Sequence, residues 1–321
     1  MLLLGAAAAA QTPRTTPIQI TAQAIDAFDS RDTSLTQFGS LRFRGGLVLT
    51  STHRDFGGIS AIRMLADGRF LALTDKGNWL RARIVARDGK PIAITEAELA
   101  PILGPDGRPV ASRRNWYDSE ALADDGGTLY VAFERVHEIL RFDYGRDGLR
   151  ARAQPVGVPP AMKQLPNNRG IECMVMPPKG QPLAGTLIAV SERGLDSTGN
   201  ILGFLIGPGG GTFSVKRSDD FDISDCALTP RGDVLLLERR FSWTRGLAIR
   251  IRRVPLSRIA PRAVVDGPEL LSADMAYQID NFEGMAVHRD ASGALVLTLV
   301  SDDNFSPLQR TLLLQFTLVG E

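Results

Sequence analysis

The residues best suited to chemistry are carboxylates that recur at two matching places in five similar stretches of the chain. Each stretch opens with a short polar or acidic residue, then a small residue and an apolar run. The opening residues are Ser60, Glu120, Glu172, Asp225 and Glu283. After a turn, a second apolar run closes on another acid, and the closing residues are Asp75, Glu134, Glu192, Glu238 and Asp302.

Acids gathered in one region raise one another's pKa and destabilise the fold, so they must be neutralised. Two remedies are open, namely pairing with arginines or binding a hard cation such as Ca²⁺, which takes about six to eight oxygen ligands. We expect the closing acids to fasten the structure through arginines and backbone N–H groups. We expect metal ligands at Glu120, Glu172, Asp225 and Glu283, and catalytic roles for Glu120, Glu172 and Glu283.

Arginines accompany these acids, and a guanidinium group suits the recognition of carboxylate and phosphate. Three of them follow or precede the acids closely and are expected to hold a substrate anion: Arg169, Arg193 and Arg239. By contrast, Glu120, Asp225 and Glu283 have no basic residue beside them. The chain has only three histidines and two cysteines, which argues against zinc, and it has no G-x-S-x-G motif of an α/β-hydrolase.

The elements that must position these acids are short strands. The five copies cover 60–76, 120–135, 172–193, 225–239 and 283–303, each as two apolar runs joined by a turn. A third strand follows each copy, and weaker fourth strands are predicted at 92–95, 151–158, 212–216 and 263–270. The fold class is therefore all-β, a β-propeller of four-stranded antiparallel blades.

Five blades are visible, and six are possible if residues 14–56 form one more. The last copy lacks a fourth strand, and we expect the N-terminal run at 41–51 to supply it and close the ring. In such a meander the opening and closing acids lie on the same face, which is the expected functional face.

The sequence divides the chain into three segments. Residues 1–10 (MLLLGAAAAA) read as the end of a truncated signal peptide, 11–39 as a lead-in, and 40–321 as the propeller domain. The protein is therefore expected in the periplasm or outside the cell, without membrane insertion after processing. With 37 basic and 36 acidic residues, it has no charge bias towards nucleic acid. A small anionic or ester substrate and a monomeric state are expected.

The two cysteines, Cys173 and Cys226, each follow an opening acid. Equivalent positions on successive blades point the same rotational way around the axis. We therefore expect two free, buried thiols and no disulfide.

Several stretches resemble the phytase-like propeller family described as having esterase-like activity. They are 118–121 (DSEA), 168–172 (NRGIE), 280–284 (DNFEG), 301–305 (SDDNF) and 309–313 (QRTLL). The resemblance implies a secreted bacterial propeller with hydrolase activity. The resemblance does not identify a nucleophilic residue.

The sequence is compatible with two functions. One is a secreted hydrolase of phosphate or other esters, assisted by a cation, Ca²⁺, that carboxylates hold at one end of the propeller axis. The other is a non-catalytic propeller that uses the same face to bind a ligand or a protein.

Overall fold

Apolar runs recur along the chain, and those of the inner strands are covered on both faces. Leu295–Ser301 (LVLTLVS) is buried along its whole length, as expected for a strand that lies between two other layers. The computed structural model describes residues 14–320. The expected signal peptide at residues 1–10 lies outside the described residues.

The strands form five sheets, which are the five predicted blades. Four strands precede the first blade: β1 (Thr16–Pro17), β2 (Thr21–Ile25), β3 (Gln37–Phe38) and β4 (Leu41–Thr50). Blade one contains β5 (Ile59–Met64), β6 (Arg69–Thr74), β7 (Asn78–Arg87) and β8 (Lys90–Pro101). Blade two contains β9 (Ser119–Asp125), β10 (Thr128–Phe133), β11 (Glu138–Asp143) and β12 (Gln154–Val156).

The remaining blades follow the same order from the axis outwards. Blade three contains β13 (Ile171–Val175), β14 (Leu187–Leu195), β15 (Ile201–Ile206) and β16 (Gly211–Val215). Blade four contains β17 (Asp222–Leu228), β18 (Asp233–Ser242), β19 (Gly246–Pro255) and, after β20 (Val264–Val265), β21 (Glu269–Asp274). Blade five contains β22 (Phe282–Arg289), β23 (Leu295–Ser301) and β24 (Thr311–Leu318).

The N-terminal strands join existing blades, so the six-blade alternative is wrong. Strand β4 pairs antiparallel with β24, β2 and β3 pair with β4, and β1 pairs with β8 of blade one. The fourth strand of blade four lies slightly later than predicted, because Val264–Val265 instead pairs in parallel with β16 of blade three.

Helical structure is confined to the loops. The described residues contain one four-residue α-helix, α1 (Tyr144–Asp147). Short 3₁₀ turns lie at Val110–Ser112, Glu134–Val136, Gly148–Arg150, Met162–Gln164 and Leu256–Arg258. Within residues 14–320 no helix has the length and apolar character needed to span a membrane.

The core consists of five buried clusters, one between each pair of neighbouring blades. Between blades one and two, for example, Trp79 and Phe142 pack edge to face with ring centroids 5.3 Å apart. The innermost strands β5, β9, β13, β17 and β22 contact one another in sequence around a complete circle. This arrangement fixes the starting ends of the inner strands close to the axis, where the opening acids lie.

Candidate functional site

Each innermost strand contains a β-bulge near its beginning, where it starts to pair with the second strand of its blade. In blade five, Phe282 pairs with Ser301 and Gly284 pairs with Val300, so Glu283 is an extra residue without a partner on the next strand. The same irregularity occurs in every blade, and the extra residues are Ser60, Glu120, Glu172, Ser224 and Glu283. A bulge bends the strand and re-aims its side chain. Glu120, Glu172 and Glu283 are thereby turned into a cavity at the axis.

The bulge of blade four lies one residue earlier than the alignment of the five sequence copies predicts. There Ile223 pairs with Glu238 and Asp225 pairs with Leu237, which makes Ser224 the equivalent of Glu120. The residue at the closing position is therefore Arg239. Asp225 instead matches the small residue that follows the opening acid in the other blades.

Opening and closing side chains together line a cavity of about 270 Å³ at one end of the axis. Eight carboxyl groups and three guanidinium groups face it, so acids predominate. The lining residues are Asp75, Asp118, Glu120, Glu134, Arg135, Asn168, Arg169, Glu172, Glu192, Arg239, Glu283, Asp302 and Asn304.

Two of these acids are buried without any partner. Glu120 and Glu172 are only 8% and 6% exposed. Within residues 14–320 neither carboxylate makes a hydrogen bond or an ion pair. Burial, and then the charges of neighbouring carboxylates, raise the pKa of both well above the usual value. Such groups are costly to ionise unless something neutralises them.

The oxygens of these acids are close enough to share one ligand. One oxygen each from Asp75, Glu120 and Glu283 lie within 4.8 Å of one another, and the same holds for Asp118, Glu120 and Glu134. Glu120 belongs to both groups. Oxygen-only sets of this kind suit hard cations such as Ca²⁺.

Two closing acids bind their protons more tightly than ordinary aspartates when no cation is present. Burial, followed by the charge of Glu283, raises the pKa of Asp75 to about 8 and that of Asp302 to about 9. The Oδ1 atom of Asp75 is buried without a hydrogen bond, whereas Oδ1 of Asp302 accepts the N–H of Asn304 at 2.7 Å.

The three guanidinium groups in the cavity are paired with its acids. Arg239 donates to Glu283 and Asn281 and lies 3.5 Å from Glu192. Arg169 donates to Glu192 at 2.7 Å. Arg135 binds Asp118 at 2.5 Å. Because Arg169 and Arg135 are more than a third exposed, their cationic ends remain open to a ligand.

Two residues expected in the site lie elsewhere. Asp225 is fully buried and forms two 3.0 Å hydrogen bonds with the guanidinium of Arg63. It also accepts backbone N–H groups of Cys226 and Met285, so it has no free oxygen to offer a cation. Arg193 pairs with Asp222 and does not line the cavity.

Glu238, expected as a closing acid, also faces away from the axis. It is fully buried and accepts hydrogen bonds from Arg250 and Arg252, two residues of β19. Its position follows from the shifted register of blade four, because residues 238 and 239 project from opposite faces of β18.

The prediction of two free thiols is wrong, since Cys173 and Cys226 form a disulfide with a Cα–Cα distance of 5.0 Å. The prediction took the two cysteines as equivalent. Cys173 is the first residue after its bulge, but Cys226 is the second after its own. Side chains alternate along a strand, so the two thiols face each other across the adjacent inner strands β13 and β17.

Sequence reasoning did not propose Asp118, Arg135, Asn168 or Asn304 as site residues, and it expected the closing acids to be fasteners. A signal was present, because Asp118 lies two residues before Glu120 and Arg135 directly follows Glu134. What the sequence did not reveal is that these neighbours turn into the same cavity.

Fold and site together define a class of protein, a five-bladed β-propeller with a carboxylate-lined cavity at one end of its axis. The chain belongs to the phytase-like family described as "Esterase-like activity of phytase", whose model matches residues 54–305. None of the curated proteins matches the chain.

Several solved structures are similar in fold. The endo-arabinase from Bacteroides thetaiotaomicron is 13% identical with a TM-score of 0.49, over 83% of this chain and 94% of that one. The glutaminyl cyclase from Myxococcus xanthus is 12% identical with a TM-score of 0.45, over 83% and 94%. The PQQ-bound aldose sugar dehydrogenase from Streptomyces coelicolor is 12% identical with a TM-score of 0.43, over 94% and 99%. Likeness at this level carries no argument about activity.

Proposed function

We propose that this protein hydrolyses phosphate or other esters with the help of a divalent cation, Ca²⁺, held by the axial carboxylates. The observation that carries the proposal is the pair of buried carboxylates without partners, Glu120 and Glu172, in a cavity where acids outnumber arginines. The family description supports ester hydrolysis as the reaction.

The residues present fit such a cation. Glu120 would hold it together with Asp75 and Glu283, whose oxygens lie within 4.8 Å of one another, and Glu172 faces the same cavity. The unpartnered Oδ1 of Asp75 would gain a partner in this way. A bound cation would polarise the ester oxygen and lower the pKa of water next to it.

The other residues of the cavity would orient the substrate and supply a proton. Arg169 and Arg239 would bind an anionic group of the substrate, and each of them contacts Glu192. Asp302, whose pKa is raised to about 9 by burial and by the charge of Glu283 in the absence of a cation, would donate a proton to the leaving oxygen. Arg193, outside the cavity, has no part in this arrangement.

The second candidate is a propeller that binds a cation or ligand without catalysis. One observation favours it: each of the three arginines in the cavity is already paired with a cavity acid. A substrate anion would have to compete with these carboxylates for the guanidinium groups.

Turnover of chromogenic esters separates the two candidates. The protein, stripped with a chelator, would be assayed with 4-nitrophenyl phosphate and 4-nitrophenyl acetate before and after Ca²⁺ is restored. Hydrolysis that returns with Ca²⁺, is lost in Glu120→Gln and persists in the exposed control Glu269→Gln supports the hydrolase. Cation binding without turnover of either ester would favour the binding protein.

We also propose that the protein acts in the periplasm or outside the cell, as a monomer. The disulfide between Cys173 and Cys226 supports this location, because disulfides persist in oxidising compartments. Detection of the protein in a periplasmic fraction and one monomeric mass in light scattering would test the two statements.

A further inference from the structure

Exposed apolar side chains lie at the end of β18, in the loop that follows it, and just after β21. Phe241 is 62% exposed, Trp243 is 94% exposed, and nearby Met275 is 70% exposed. The two aromatic rings contact each other edge to face with centroids 5.4 Å apart. Gly246, at the end of the same loop, lies so close to Met275 that an added Cβ would be 2.8 Å from its Sδ atom. We call the three side chains Phe241, Trp243 and Met275 the apolar ledge.

The ledge begins on the strand that carries Arg239 of the cavity. Glu238 and Arg240 share one face of β18: Glu238 binds Arg250, and Arg240 covers the ring of Phe221, as Arg250 also does. Arg239 and Phe241 therefore project from the opposite face, on which Arg239 reaches Glu283 of blade five. Residues two apart on a strand are separated by about 7 Å, so Phe241 lies one step outwards from the cavity wall.

The cavity itself offers nothing to an apolar group, since all thirteen side chains that line it end in a carboxyl, guanidinium or amide group. The exposed aromatic pair Phe241 and Trp243 provides an apolar surface for the part of a ligand that the polar cavity does not accommodate. Trp and Phe bind aromatic ligands through offset or edge-to-face contacts and remove a large apolar area from water. Exposed apolar side chains gathered in this way mark binding sites more often than isolated ones do.

We propose that the apolar ledge binds the aromatic or bulky apolar group of an ester whose reacting group lies against Arg239. This inference rests on the proposed function and adds the substrate class, namely aryl esters in preference to esters of small alcohols. The occupant is chosen because Phe241 of the ledge and Arg239 of the cavity lie two residues apart on the same face of β18.

The test uses two anions that the protein cannot hydrolyse, phenylphosphonate and methylphosphonate, with Ca²⁺ present. They share the charged group and differ only in the apolar one. Calorimetry should show about tenfold tighter binding of phenylphosphonate to the wild type. That preference should disappear in Trp243→Ala and remain in Val264→Ala, which shortens an exposed apolar side chain at the outer edge of blade three.

A second readout does not depend on the variants. Trp79 is buried and Trp116 is partly buried, so quenching by acrylamide reports mainly on Trp243. Phenylphosphonate should protect this fluorescence from quenching, and methylphosphonate should not.

Three results would overturn the inference: equal affinity for the two phosphonates, no binding of either, or protection of Trp243 that grows with protein concentration alone. The last would assign the ledge to contact between two copies. The hydrolase proposal is judged separately by ester turnover. Equal affinities together with Ca²⁺-dependent turnover would contradict only the proposed role of the ledge. A preference for phenylphosphonate without ester turnover would contradict only the proposed hydrolase activity.

Discussion

Replacing Arg63 by methionine should destabilise the propeller strongly, because this one guanidinium group joins four blades at the axis. It forms two 3.0 Å hydrogen bonds with Asp225. It also donates to backbone carbonyls of four inner strands, those of Ile62, Met174, Cys226 and Met285. The side chain of Arg63 is 11% exposed and that of Asp225 is 0% exposed, so the carboxylate of Asp225 would stay buried in the variant.

The magnitude follows from the charge that the variant leaves behind. Removing one partner of a buried ion pair costs about 3 to 5 kcal/mol, most of it because the other charge stays buried. Asp225 would keep only two backbone N–H donors, from Cys226 and Met285. We therefore expect the free energy of unfolding to fall by about 3 to 5 kcal/mol in Arg63→Met.

Denaturant unfolding of the oxidised protein measures this effect, and a double-mutant cycle isolates its cause. Asp225→Asn removes the negative charge, so the double variant Arg63→Met with Asp225→Asn should be more stable than Arg63→Met alone. A single variant within 1 kcal/mol of the wild type, or a double variant showing simple additivity, would refute the reasoning.

Two other predictions concern stability. Replacing both Cys173 and Cys226 by alanine should lower the free energy of unfolding by about 4 kcal/mol, the chain-entropy value for the 53-residue separation; calorimetry showing unchanged melting would contradict this. In chelator, stability should decrease as pH rises from about 4 to about 9, because folded Asp75 and Asp302, with pKa values of about 8 and about 9, hold protons that the unfolded chain has released. A melting temperature that increases across this interval would show that the two carboxyls ionise freely in the folded state.

The sequence was sufficient to predict the architecture because the signal repeats. Five copies of the same strand–turn–strand pattern, each closing on an acid, define the blades without knowledge of any single contact. The same repetition placed Glu120, Glu172 and Glu283 together, and the structure brings all three into one cavity.

Blade four shows where this reasoning fails. Its acids Asp225 and Glu238 align with the other copies by residue type, but the bulge falls at Ser224 and shifts the strand by one residue. A one-residue shift turns every side chain to the other face. Both acids are therefore buried in ion pairs away from the cavity, with Arg63 for Asp225 and with Arg250 and Arg252 for Glu238. The position of a bulge depends on pairing with the next strand and is not encoded in a residue pattern.

The disulfide was missed for the same reason, since Cys173 and Cys226 appeared equivalent and are offset by one residue. The pairing of Arg239 with Glu283 was missed because the two are 44 residues apart and come from neighbouring blades. Contacts between blades depend on how the sheets are placed around the axis, which no local pattern specifies.

The most direct test of the central claim is calorimetric titration of the chelator-treated protein with Ca²⁺, together with melting curves, for wild type, Glu120→Gln and Glu269→Gln. We predict that Ca²⁺ binds and raises the melting temperature of the wild type, since a ligand at a hundred times its Kd adds about 2.7 kcal/mol of stability. Glu120→Gln should lose the gain from Ca²⁺, because it removes the carboxylate that belongs to both groups of three acids. Glu269→Gln should behave as wild type. No heat of binding and identical melting with Ca²⁺ and with chelator would contradict the claim that these carboxylates hold a cation.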